Sequence, residues 1–200
     1  MTKGKLIAMC LLVFANGCGE VVEALKPDRV SVGITGRQIA GSYQNFKVDT
    51  TIPLWELKAK KKLRENLDAY SRLQLNHGAL SADHPICSGK TRGTFTSFGF
   101  GLDYFPFETR LLGFEVGVES FYADYRMMGR LGPIKETTPG SLWGGGFNPG
   151  LVGELPLTKD QRWKLIWGIS HNFTATKCRG TKASLGDWSG GVGIEIRLGP

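Results

Sequence analysis

The stretch Phe95–Tyr122, FTSFGFGLDYFPFETRLLGFEVGVESFY, decides the fold. From Thr94 to Phe105 the residues Phe98, Phe100, Leu102 and Tyr104 alternate with Ser97, Gly99, Gly101 and Asp103. A period of two is the mark of an extended strand whose faces meet different surroundings. After a short break the pattern resumes from Gly113 to Tyr125, with Phe114, Val116, Val118 and Tyr122 set against Glu115, Gly117, Glu119 and Ala123. Two alternating strands joined by a brief turn form an antiparallel hairpin.

The pattern extends in both directions. Trp188, Val192, Ile194, Ile196 and Leu198 oppose Gly191, Gly193, Glu195 and Arg197, and Trp163, Leu165, Trp167, Ile169 and Phe173 form another apolar row. Less regular strands are predicted over 29–37, 43–54, 67–80 and 142–157, with Ile52 and Leu54 placed in the outward row of the second. Pro53, Pro149 and Pro156 interrupt two of these, because proline cannot donate to a ladder. The total is about eight strands. Glycine, at 28 of 200 residues, is about twice its usual share and argues against a helical bundle.

Residues 1–17 read as a signal peptide: Lys3 and Lys5, an apolar run from Leu6 to Ala15, then Ala15-Asn16-Gly17 with small residues where a signal peptidase cuts. The run is too short to span a bilayer as a helix. Its removal takes Lys3 and Lys5 with it and lowers the formal charge from +7 to +5. Gly17-Cys18 resembles a lipobox, which implies diacylation of Cys18; ordinary cleavage that leaves Cys18 free or disulfide-bonded is the alternative. Residues 18–28 then form a tether and 29–200 one barrel domain.

The breaks at 105–111 and 158–162 are short, whereas 83–93, 127–140 and 177–187 read as long loops. Short turns at one end and long loops at the other characterise outer-membrane barrels. Two connections depart from this: the one at 39–42 is brief, and 56–66 is long and carries Lys58, Lys60, Lys61, Lys62 and Arg64. Such a run is usually a solvated surface; contact with lipid phosphate is the alternative.

On these segments, together with the closing SGGVGIEIRL, the chain resembles the small outer-membrane barrels that include the OmpA transmembrane domain, OmpX-like and opacity-type proteins, over Arg29 to Leu198. Members usually finish on an aromatic residue, and this sequence finishes Arg197-Leu198-Gly199-Pro200. The reading is an all-β, eight-stranded, antiparallel up-and-down transmembrane barrel in the bacterial outer membrane. The row opposite the apolar one holds glycines and charges of both signs, which suits a crowded lumen. Arg72, Asp103, Glu115, Glu119, Glu154, Lys164, Glu195 and Arg197 are expected to neutralise one another there.

Cys87 and Cys178 fall in connections at one end of such a barrel, and an oxidising envelope favours their pairing. Free thiols, or capture of one by Cys18, are the alternatives. Chemistry is harder to find. Lipid A-modifying barrels resemble this chain in size, but Phe173 stands two residues after His171 and Ala79 two after His77, where the deacylase pattern needs serine. Ser170 adjoins His171 on the opposite face of a strand, out of reach of that base. Glu115 and Glu119 share a face and fit a lumenal ion pair better than an acid/base pair. No catalytic residue, metal site or cofactor is assigned.

The expected function is a structural or surface-interaction role of a monomeric barrel, with outer-membrane lipid and lipopolysaccharide as partners and no nucleic acid. Lys90, Arg92, Arg179 and Lys182 form the expected cationic loop patch. A lipid A acyl hydrolase and a soluble, lipid-anchored, lipocalin-like carrier are the competing readings.

Overall fold

The computed structural model describes residues 26–43, 46–83, 88–131, 134–178 and 181–198. Eight strands follow in order: β1 (Arg29–Tyr43), β2 (Phe46–Arg64), β3 (Leu67–Asp83), β4 (Ser88–Tyr104), β5 (Gly113–Leu131), β6 (Ile134–Pro156), β7 (Trp163–Cys178) and β8 (Thr181–Arg197). Each pairs antiparallel with its neighbour, and β1 closes on β8 from Arg29 opposite Arg197 to Arg37 opposite Ser189. The result is a closed up-and-down barrel without free edges.

Three predicted long loops are continuous ladder instead. β3 runs to Asp83 and β4 starts at Ser88, β5 and β6 pair to Leu131 opposite Ile134, and β7 and β8 pair to Cys178 opposite Thr181. The segment 56–66, expected to be a connection, is the end of β2 and a two-residue turn at Glu65–Asn66. Two of the prolines lie where a ladder has no paired residues, and Pro156 is opposite Lys164 at the end of β6. Pro149 lies where β6 and β7 lack paired residues between Phe147 and Gly150, and there the Asn148 amide donates to the Asn172 side chain. The Pro53 carbonyl accepts from the Asn76 side chain, just beyond the last paired residues of β2 and β3.

The exterior is apolar. Val32, Trp55, Phe100, Val116, Val118, Leu151, Ile169 and Val192 all stand exposed, while lysines, arginines and carboxylates are buried inside. That inversion is stable only where the outer solvent is hydrocarbon. Aromatic residues bound the band: Tyr104 opposite Phe114 near the end that carries both termini, and Tyr122 opposite Trp143 farther up. Phe114 to Tyr122 covers roughly 26 Å of strand at ~3.3 Å per residue, or about 20 Å of height once tilted. This agrees with the apolar band of an outer-membrane barrel. Beyond the upper aromatics the strands continue well out of the bilayer.

Inside, small residues make room for large ones. Gly101 and Gly117 are cross-strand partners, and Tyr70 lies over them: a Cβ added at Gly117 would come 2.3 Å from the Tyr70 hydroxyl. Gly117→Ala is expected to lower the unfolding free energy by about 1–3 kcal/mol through overpacking. Adding Tyr70→Phe, which removes the clashing oxygen, should recover part of that loss in a urea titration. Equal stability of G117A and the parent would mean that Tyr70 moves aside freely.

Candidate functional site in the lumen

Alternation along each strand sends every second side chain inward, and in a barrel of eight strands those side chains meet. In the outer part of the lumen Ile52, Leu54, Phe95 and Phe121 form a buried apolar cluster. Ile52 and Leu54 were expected to face outward, and the structure corrects this, because they continue the inward row Glu56, Lys58, Lys60 of β2. Arg37 covers the cluster: its guanidinium lies 5.1 Å from the Phe95 ring centre and 2.6 Å from Glu119.

Toward the termini the lumen is ionic. Glu154 is the hub, its carboxylate accepting from Arg29 at 3.0 Å, Lys60 at 3.1 Å, Arg110 at 3.1 Å and Lys164 at 2.7 Å. Glu195 takes Arg29 at 3.3 Å and Lys60 at 3.1 Å. Glu115 takes Lys58 at 2.7 Å and Arg72 at 2.9 Å, and Asp103 lies between Lys58 and Lys60. Asp68 receives Arg29 and Arg110. With Glu56, which accepts from Thr35 and Gln74, the described lumen holds seven carboxylates and seven side-chain cations counting Arg37. Equal numbers of each sign allow the charges to be buried without a net field.

Of the residues expected in a lumenal network, Arg72, Asp103, Glu115, Glu119, Glu154, Lys164 and Glu195 come together here. Arg197 does not. It sits in the last position of β8, exposed at the rim and with no carboxylate within ion-pair distance among the described residues. The run read as a solvated loop supplies the missing cations, since Lys58 and Lys60 are almost fully buried. Arg29, Arg37, Asp68 and Arg110 were also missed in the sequence. Arg110 reaches the network from the turn after β4 with a left-handed backbone, φ 52°.

The nucleophile and base candidates are separated. Ser170 points inward and bonds Ser189 at 2.8 Å, whereas His171 packs between Phe173 and Trp188, two exposed residues of the outer surface. A soluble carrier of the lipocalin kind needs an apolar interior, and this interior is charged. Among the described residues no group of His, Cys, Asp and Glu could hold a metal ion. Cys18, Cys87 and Arg179 lie outside the described residues; Lys90, Arg92, Cys178 and Lys182 occupy strand positions, but their side chains lie outside the description.

With a closed eight-stranded barrel, a charged lumen and a lipid-facing belt established, solved structures offer a direct comparison. The chain shares the fold of Ail. Ail, the attachment invasion locus protein of Yersinia pestis, superposes with a TM-score of 0.53 at 10% identity, covering 85% of this chain and 99% of Ail. Its complex with the heparin analogue sucrose octasulfate gives 0.54 at 10% identity over 84% and 97%. Neisserial surface protein A gives 0.42 at 12% identity over 84% and 97%. No protein-family model matches the chain, and no curated protein matches its sequence. The fold is that of a bacterial outer-membrane barrel, and its exterior suits that membrane.

Proposed function

We propose that this chain is a non-enzymatic outer-membrane barrel with a lumen closed by its charge pairs, whose protruding strands engage the phosphates of lipopolysaccharide. One observation carries the reading. Beyond the upper aromatic row the registers set cations directly opposite cations: Arg92 with Arg126, Arg130 with Lys135, and Lys177 with Lys182. Like charges facing each other across a ladder destabilise it unless an anion lies between them. These positions belong to the strand ends beyond the upper aromatic row, on the far side of the apolar belt from the termini, the level at which lipopolysaccharide phosphates would lie. Binding of a sulfated sugar by Ail, a barrel of the same fold, is a precedent for polyanion recognition.

Each cation near an anionic lipid surface contributes roughly 1 kcal/mol. Neutralising Lys90, Arg92, Arg179 and Lys182 together is expected to weaken lipopolysaccharide binding by about a thousandfold, measured on the refolded barrel in detergent. Unchanged binding would sink the reading, and an altered lipid A mass profile on overexpression would replace it with an enzyme.

A further inference from the structure

The two ladders that flank the β1–β2 hairpin stop early. β1 and β2 pair with each other as far as Tyr43 opposite Phe46. Toward β3 the hairpin is paired only up to Trp55 opposite Leu75, so 46–54 of β2 and 76–83 of β3 find no ladder partner in each other. Toward β8 the continuous ladder ends at Arg37 opposite Ser189, and above it Ala40 opposite Gly186 is the one pair among the described residues. Pro53 lies at the first break, where it has no N–H to donate, and the Asn76 side chain bonds its carbonyl instead. Residues 38–53 therefore have few ladder bonds outside their own hairpin, and a two-stranded hairpin alone is marginal in water.

The same hairpin carries half of the plug in the outer lumen. Buried Ile52 and Leu54 meet Phe95 and Phe121 of β4 and β5, and the Arg37 guanidinium lies 5.6 Å from the Phe121 ring centre and 2.6 Å from Glu119. Next to the plug is a cavity of about 50 Å³ whose walls include Gly33, Thr35, Glu56, Ser170, Ser189 and Gly191, with room for a few waters. It begins one inward step below the plug: Thr35 is the neighbour of Arg37 in the inward row of β1, and Glu56 the neighbour of Leu54 in that of β2. Hydroxyls and a carboxylate make this well polar. The ion pairs of Lys58 with Asp103 and Glu115 close it underneath.

We propose that residues 38–53 form a lid over this well, and that its outward swing about Arg37 and Leu54 admits water and small polar solutes from the outer side. What holds the lid shut is side-chain contact with Phe95, Phe121 and Glu119, which parts without breaking any flanking ladder pair except Ala40 with Gly186. Local opening is drawn from the segments of a fold with the fewest bonds to the rest. Because the ionic network shuts the other end, the opened lumen is a dead-end well and not a pore. The lid does not depend on lipopolysaccharide binding.

The test introduces Ser170→Cys, in the well and off the lid, into the full chain with its four native cysteines replaced by serine. Labelling of the refolded barrel by a small water-soluble maleimide is followed by mass spectrometry. Ser170→Cys is expected to react, and adding Ile52→Ala to speed the reaction about tenfold or more, because it removes the lid's most buried contact. A disulfide between Ala40→Cys and Gly186→Cys, a directly opposed pair, should slow labelling about tenfold and cancel the effect of Ile52→Ala. General loosening of the barrel would not be cancelled in this way. Ala40→Ser with Gly186→Ser controls for the substitutions, and a heat-dependent gel shift verifies that each variant is folded. A rate unchanged by the disulfide, an acceleration that survives it, or no reaction even with Ile52→Ala would overturn the proposal. Where the disulfide does not close, a rate unaffected by Ile52→Ala overturns it.

Discussion

Glu154→Ala is expected to destabilise the barrel by about 3–5 kcal/mol, because it takes a shared carboxylate from four cations at once, leaving Lys164 without a partner among the described residues and Arg29, Lys60 and Arg110 each with fewer. Arg29, Lys60, Arg110 and Lys164 come from β1, β2, the turn after β4 and β7, and all converge on this one carboxylate. The desolvation of those cations is already incurred by the fold; what the substitution removes is the attraction that offsets it. A urea titration in detergent, read by loss of the heat-sensitive fast-migrating form, measures the change. Adding Lys60→Met should restore part of the stability, since removing both members of a buried pair is often close to neutral. A midpoint unchanged by Glu154→Ala would mean that water reaches the hub and screens it.

The second large effect belongs to the outside. Val118 is midway along β5 between Phe114 and Tyr122, exposed, and paired with Phe100 and Phe147, so it marks the middle of the apolar belt. Val118→Arg is expected to cost about 2–4 kcal/mol in lipid vesicles, and Tyr122→Arg at the interface only about 0–1 kcal/mol. The contrast in depth is the informative part. Equal costs at the two positions would place the bilayer elsewhere on the barrel, and no cost at either would mean that the belt faces water.

Much of the fold is legible in the sequence where one row of a strand is uniformly apolar. β4, β5, β7 and β8 are of that kind, since Phe98 to Tyr104 or Val192 to Ile196 leave one phase available. β2 is not. Its inward row reads Ile52, Leu54, Glu56, Lys58, Lys60, and its outward row Thr51, Pro53, Trp55, Leu57, Ala59. The inward row changes from apolar to charged because the lumen does so at that height, from the cluster of Phe95 and Phe121 to the ions around Glu154. Taken alone, Ile52 and Leu54 look lipid-facing and the lysines look like a loop. The phase is set by the ladder with β1, in which Arg29 lies opposite Lys60, and that register is a property of two strands rather than of either sequence.

The same separation explains the lumenal residues. Carboxylates on regular strands, Asp103, Glu115, Glu119 and Glu195, follow from alternation. Arg110 enters from a turn, where no periodicity marks a direction, and Asp68 opens a strand beside the Glu65–Asn66 turn. The outer strands gave the opposite difficulty. Gly, Pro, Lys and Thr at 83–93 and 127–140 carry no apolar row because, above the bilayer, neither face of the ladder meets hydrocarbon.

The hub at Glu154 also bears on how the chain can enter a membrane at all. Its partners are up to 125 residues apart in sequence, and Arg29 reaches Glu195 across 166. A hairpin inserted by itself would carry unmatched charges into hydrocarbon, where their cost is several kcal/mol each. Partial barrels are therefore barred from the bilayer. Entry becomes a concerted event in which first and last strands arrive together, slow by virtue of its long-range contacts and all-or-none by virtue of its charges.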